Sequence, residues 1–145
     1  MSKYISIDPG RCKCGLVVVD QNEKKVDHAI VLKSDLLVEH IQSLIDVEVI
    51  PKIIIGNGTS SQENIEKLDF LEKELIVFEE KNTTYRAKQR YFELFPMNWY
   101  QTLIPRDFYL MNKNLDAVSA LIILEDYCNE KFKLSENINI KTWLK

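Results

Sequence analysis

The strongest constraint on this chain is a change of hydrophobic period near residue 34. Before it lie three strand-like segments: Tyr4-Ile5-Ser6-Ile7, which alternates, the β-branched run Cys14 to Asp20, and Val26 to Leu32. Asp8-Pro9-Gly10 breaks the first pair and Gln21-Asn22-Glu23-Lys24-Lys25 the second. Strands joined by such short turns form an antiparallel meander. After it, helical and strand patterns alternate. Ser34 is an expected N-cap for a helix through about Glu48, with Leu37, Ile41, Leu44 and Ile45 on one face. Lys52-Ile53-Ile54-Ile55-Gly56 is a continuous apolar run, as in a parallel strand covered on both faces.

Ser60-x-x-Glu63 reads as a capping box for a helix to about Lys73. Leu75-Ile76-Val77-Phe78 is predicted as a further buried strand, ending in Glu79-Glu80. A helix over about Thr84–Phe95 precedes a loop carrying Pro96 and Pro105. Asn114 is placed to cap a last helix, Leu115 to about Cys128, which is apolar nearly all round and so belongs deep in the core. A meander followed by alternating units predicts an α/β fold, a mixed sheet with helices on both faces.

With 145 residues and no linker, repeat or low-complexity stretch, the expectation is one domain over 1–145, with a core of about 3–130 and a C-terminal extension of about 131–145. No apolar run reaches the roughly 18 residues that span a bilayer, so no membrane partner is expected. Met1-Ser2-Lys3-Tyr4 leads straight into a strand pattern, so no leader is expected either. Three cysteines are odd in number and Cys12-x-Cys14 has no second pair for zinc; a reducing, cytoplasmic setting follows. His28 and His40 lie in unrelated segments and form no metal motif. Phosphate-loop and serine-esterase signatures are lacking.

Ligands of open α/β sheets collect at the carboxyl ends of the parallel strands. Asp8 ends the first strand, Glu79-Glu80 the last, and Asp116 opens the final helix. Carboxylates that converge repel one another unless a cation binds. Hard oxygen ligands suit Mg²⁺ or Mn²⁺, and one or two such ions serve phosphodiester hydrolysis. Read singly, each acid is equally well a turn cap, a solvated pair or a helix-start charge.

These residues carry a resemblance. Ile7-Asp8-Pro9-Gly10-Arg11-Cys12-Lys13-Cys14-Gly15 resembles the opening strand-turn-strand of the YqgF/RuvX family, in the RuvC-like (Holliday junction resolvase-like) branch of the ribonuclease H fold. Phe78 to Thr84 is similar to that family's Asp-Glu-Arg-x-Thr-Thr motif, and Leu115 to Tyr127 to its final Asp-Ala, leucine-rich helix. The resemblance implies a ribonuclease H-like, five-stranded sheet of order 3-2-1-4-5 and a divalent-metal nuclease site. It carries metal-binding and catalytic roles onto Asp8, Glu80 and Asp116. Glu79 replaces the motif Asp and Lys81 its Arg, which keeps charge but loses the bidentate fork. Ser119 stands where the junction resolvases have a fourth acid, and Met97 to Arg106 resembles a lineage-specific insert.

The net charge of −3 excludes binding of a polyanion by bulk charge alone, yet the window from Lys81 to Phe92 is +4 and the remainder −7. The expected contacts to nucleic acid, as RNA or branched DNA, are Arg11, Lys13, Lys81, Thr83, Thr84, Arg86 and Arg90, with Lys88 beside them. Arg86 and Arg90 share a helix face, and Tyr85 and Tyr91 offer rings for stacking on bases. An amphipathic helix whose tyrosines belong to the core fits the same pattern. Trp99, Trp143 and the Ile138/Ile140 alternation suit either the domain's edge or a second protomer, so a homodimer stays open. The expected function is metal-dependent phosphodiester hydrolysis. The alternative is a catalytically silent nucleic-acid-binding or protein-interaction module on the same fold. An actin-like nucleotide-binding half is disfavoured by length.

Overall fold

The computed structural model describes residues 3–58, 61–71, 73–79, 82–111, 113–136 and 138, and the side chains of all of these except 61 and 70. Three antiparallel strands open the fold: β1 (Lys3–Asp8), β2 (Lys13–Asp20) and β3 (Lys25–Lys33). Helix α1 (Leu37–Val47) leads to β4 (Lys52–Gly56), α2 (Ser61–Leu68) and β5 (Glu74–Phe78). Helices α3 (Thr83–Leu94), α4 (Arg106–Leu110) and α5 (Asp116–Cys128) follow, and β6 (Lys133–Leu134) comes last. β4 runs parallel to β1 and β5 parallel to β4, so the sheet order is β5-β4-β1-β2-β3-β6. The expected order 3-2-1-4-5 is therefore present. The two-residue β6, parallel to β3, extends it.

Strand alternation divides the core. Ile5, Ile7, Leu16, Val18, Ile53 and Ile55 face Leu37 and Ile41 of α1 and Leu68 of α2. Val17, Val19 and Ile54 face α3 and α5 on the other side. Ile53, Ile54 and Ile55 are all fully buried because β4 is covered on both faces. Each such side chain contributes roughly 1.5–3 kcal/mol on leaving water. Residues Ala117 to Glu125 of α5 are buried without a break, as its all-round apolarity predicts. The helix ends where Asn129 takes a left-handed conformation (φ 53°). The N–H groups of Asn129 and Glu130 then return to the carbonyls of Asp126 and Glu125.

Three local expectations are corrected. Ser34 does not cap α1: a single tight turn, Ser34–Leu36, comes first, and the Ser34 hydroxyl donates to the Gly10 carbonyl (2.8 Å). The loop after α3 contains the short helix α4 and a turn at Gln101–Leu103. β5 is not a buried strand but an edge, with Val77 47% exposed. Ser60, Ile140 and Trp143 lie outside the described residues, whereas Ile138 packs on the α5 face of the core.

Candidate functional site

Asp8 sits at the carboxyl end of β1, half-buried, and opposes Gly15 of β2 in the antiparallel register. The turn between them is tight: a Cβ on Gly10 would meet the Lys13 carbonyl oxygen at 2.2 Å. Ser34 braces it from the far side. Beyond its bond to Gly10, its N–H donates to the Cys12 carbonyl (2.9 Å), and the Cys14 thiol donates to its hydroxyl (3.5 Å).

Gly15 also receives the start of α5. A Cβ at Gly15 would lie 1.9 Å from the Asp116 carbonyl oxygen and 2.5 Å from the Ala117 nitrogen, so only glycine lets the helix approach β2 this closely. One residue thus has Asp8 as its strand partner and the Asp116 backbone against its face. Asp8 and Asp116 line a common open cleft of about 560 Å³, together with Thr84, Lys88, Asp107 and Ser119.

Burial dominates the electrostatics of this cleft. Burial pushes the Asp116 carboxyl above its ordinary value, opposed in part by hydrogen bonding from Asn114 and by the charge of Lys13. Asn114 also accepts the Asp116 N–H (3.1 Å) in a turn just ahead of the helix, but Leu115 holds the cap position with no side-chain bond, so Asn114 does not cap α5 as the sequence predicts. The buried Cys14 thiol is raised mainly by burial, opposed by its bonds to Ser34 and Gly10, and the fields of both Asp116 and Asp8 add to the rise. A half-buried pair of carboxylate groups is hard-donor chemistry that fits Mg²⁺ or Mn²⁺. The third acid, Glu80, lies outside the described residues, as does Lys81. Among the described residues, no three His, Cys, Asp or Glu side chains are grouped to hold a metal.

The expected nucleic-acid contacts divide. Arg11 and Lys13 are exposed beside Asp8, and Thr84 is exposed on the cleft. Thr83, half-buried, opens α3 behind Asn82, whose left-handed backbone (φ 53°) turns the chain into the helix. Arg86 and Arg90 instead face α5. Arg86 holds Asp126 through both terminal nitrogens (2.6 Å each). Arg90, its side chain 11% exposed, forks onto Glu125 (2.9 and 2.8 Å) and donates to the Phe132 carbonyl (2.7 Å). Tyr91 is 4% exposed and packs against Phe92, Phe95 and Tyr109, so it is no stacking platform; Tyr85, 66% exposed, faces out.

Neither a protein-family model nor a curated protein sequence matches the chain. Among solved structures, T. thermophilus RuvC in complex with Holliday junction substrate is similar over 89% of this chain and 96% of that one, with a TM-score of 0.52 and 12% identity. The catalytic core domain of BIV integrase aligns over 86% of this chain and 81% of that one, with a TM-score of 0.39 and 14% identity. The fold is ribonuclease H-like. No helix among the described residues is long and apolar enough to cross a membrane.

Asp107 and Lys113, which the cleft also presents, were not legible as site residues. Pro105 with Asp107 in the following turn is a helix-start signal that could have revealed α4. Nothing in the sequence pairs His28 with His40, yet their Nε2 atoms lie 3.2 Å apart between β3 and α1.

Proposed function

We propose that this chain is a divalent-cation-dependent nuclease of the YqgF/RuvX type, hydrolysing phosphodiester bonds in structured RNA or branched DNA. The observation that carries the reading is that Asp8 and Asp116 line one cleft, Gly15 being the strand partner of the first and packed against the backbone of the second. Glu80 is the proposed third ligand. The motif resemblance favours Glu80, and Glu79 is the alternative ligand, because β5 ends at Phe78 and adjacent residues point to opposite faces. The carboxylates of Asp8, Glu80 and Asp116 would hold one or two Mg²⁺ or Mn²⁺ ions, which when bound supply activation of water and neutralisation of the leaving oxygen. Lys88 and Thr84 of the cleft lining, Lys13, whose charge acts on Asp116, and the neighbouring Arg11 and Thr83 would orient the backbone and give affinity without sequence choice. Lys81 joins them in this proposal. Arg86 and Arg90 act at one remove, by fixing α3 on α5. Three free cysteines suit a reducing, cytoplasmic setting.

The second reading, a catalytically silent nucleic-acid-binding or protein-interaction module, draws on that same engagement of Arg86 and Arg90, which leaves fewer cations for a phosphate. One experiment separates the two. Labelled RNA and four-way DNA are incubated with Mg²⁺ and either the native chain or Asp8→Asn. Cleavage by the native chain alone supports the nuclease. Equal products from both sink it, and EDTA-insensitive binding without cleavage selects the silent module.

A further inference from the structure

A second hollow adjoins the acid cleft and shares Lys88, Asp107 and Leu110 with it. Its volume is about 220 Å³, below the roughly 300–1,000 Å³ of sites for drug-sized ligands. It therefore suits a single flat ring system better than a whole nucleotide. Its walls come from α3 and α4. Tyr85 stands 66% exposed on one side, and its hydroxyl accepts from Gln89 (3.4 Å). The Arg106 guanidinium lies over the Phe92 ring, 5.0 Å from its centroid. Lys88 and Asp107 form an ion pair (3.1 Å) on the side shared with the cleft.

Aromatic faces, a guanidinium plane, a side-chain amide and a carboxylate are what an unstacked base requires. The rings and the guanidinium take its π-face, and the amide and carboxylate meet its donor and acceptor edge. The ion pair neutralises Asp107, so a phosphate in the neighbouring cleft is not repelled. Tyr85 has no structural reason to be a large ring: it is exposed and outside the core, unlike Tyr91 one turn and a half further along α3.

We infer that this hollow receives an unpaired nucleobase of the strand whose phosphate lies against Asp8 and Asp116, with Tyr85 as the stacking face. The inference rests on the nucleic-acid reading above and narrows it to substrates with an unpaired nucleotide beside the scissile bond.

The test measures binding of fluorescent single-stranded oligonucleotides by anisotropy, in EDTA so that no cleavage intervenes. Tyr85→Ser should weaken binding about 5- to 160-fold, the value of one base–aromatic stack. Tyr85→Trp should restore it. Duplex of the same length should be bound equally by all three proteins, and a wholly abasic strand should show no dependence on residue 85. Undiminished binding by Tyr85→Ser, or an equal loss on duplex and abasic strands, overturns the pocket and leaves the nuclease reading standing. Tyr85-dependent binding without Mg²⁺-dependent cleavage keeps the pocket and removes the nuclease. Failure of the native chain to bind any oligonucleotide at low salt, both in EDTA and with Ca²⁺ added, removes both.

Discussion

A Cβ built on Gly15 would stand 1.9 Å from the carbonyl oxygen of Asp116. The backbone fixes where that Cβ stands and its partner is a backbone oxygen, so no side-chain rotation relieves the contact. Gly15→Ala must push α5 away from β2, and α5 is the helix whose residues Ala117 to Glu125 are all buried. The expected loss of stability is at least the roughly 1–3 kcal/mol of an overpacked core. Urea unfolding with intrinsic fluorescence measures it. An unchanged midpoint would show that α5 does not seat where the contact puts it.

That contact also marks the limit of what the sequence makes legible. The meander, the apolar run of β4 and the apolar final helix follow from periodicity, because burial on one or two faces leaves its period in the residues. The rule about strand ends places Asp8 and Asp116 at the same end of the fold, where both line one cleft, and Gly15 lets α5 come close to β2 there. Arg86 and Arg90 suit phosphate ligation by spacing alone, because i,i+4 spacing fixes a shared face without saying what lies opposite. The acids opposite, Asp126 and Glu125, are 40 and 35 residues away in the chain. Ser34 shows the same limit: its type suits a helix cap, but the nearest acceptor in space is the Gly10 carbonyl. Side-chain partners set by tertiary contact leave no local trace.

The Asp116 carboxyl lies above its ordinary value because burial disfavours the charged form. An acid raised on folding contributes stability below its unfolded pKa of about 3.9 and loses it as pH rises through the folded value. At pH 7 the charge is therefore a liability. Asp116→Asn should raise the urea midpoint at pH 7, and that gain should shrink toward pH 4. Millimolar Mg²⁺ should raise the Tm of the native chain by selective binding to the folded state, and should not raise that of the Asn variant. A loss of stability in Asp116→Asn at pH 7 contradicts the argument.

His28 and His40 face each other across β3 and α1 with stacked rings, centroids 5.4 Å apart. Burial holds both imidazoles below their usual pKa; the His40 charge lowers His28 further, while Glu48 raises it. Glu48 is itself bound by Lys3 (2.8 Å), which also holds Asp27 (3.0 Å). Because both histidines are lowered on folding, the unfolded chain binds more protons, and stability falls as pH drops below about 6.5. Urea midpoints from pH 7.5 to 5 should decline for the native chain and decline less for His40→Gln, in which burial still lowers His28. Parallel curves for the two proteins would assign the decline to other groups.

Arg90 and Glu125 form a pair in which neither side chain is more than 11% exposed. The Glu125 carboxylate also accepts the Phe132 N–H (2.9 Å), while Arg90 donates to the Phe132 carbonyl, so the pair holds the chain just before β6. Removing one partner strands a buried charge, and Arg90→Met should cost about 3–5 kcal/mol. Arg90→Lys keeps the charge without the fork and should recover only part of that. The double variant Arg90→Met/Glu125→Leu removes both charges and should be more stable than Arg90→Met alone. It still leaves the Phe132 N–H and carbonyl without these partners, at about 1–3 kcal/mol for a buried polar group. Hydrogen exchange at the Phe132 amide should therefore quicken in the double variant as well. If the double variant is no more stable than Arg90→Met, the stranded Glu125 charge is not what the single substitution costs.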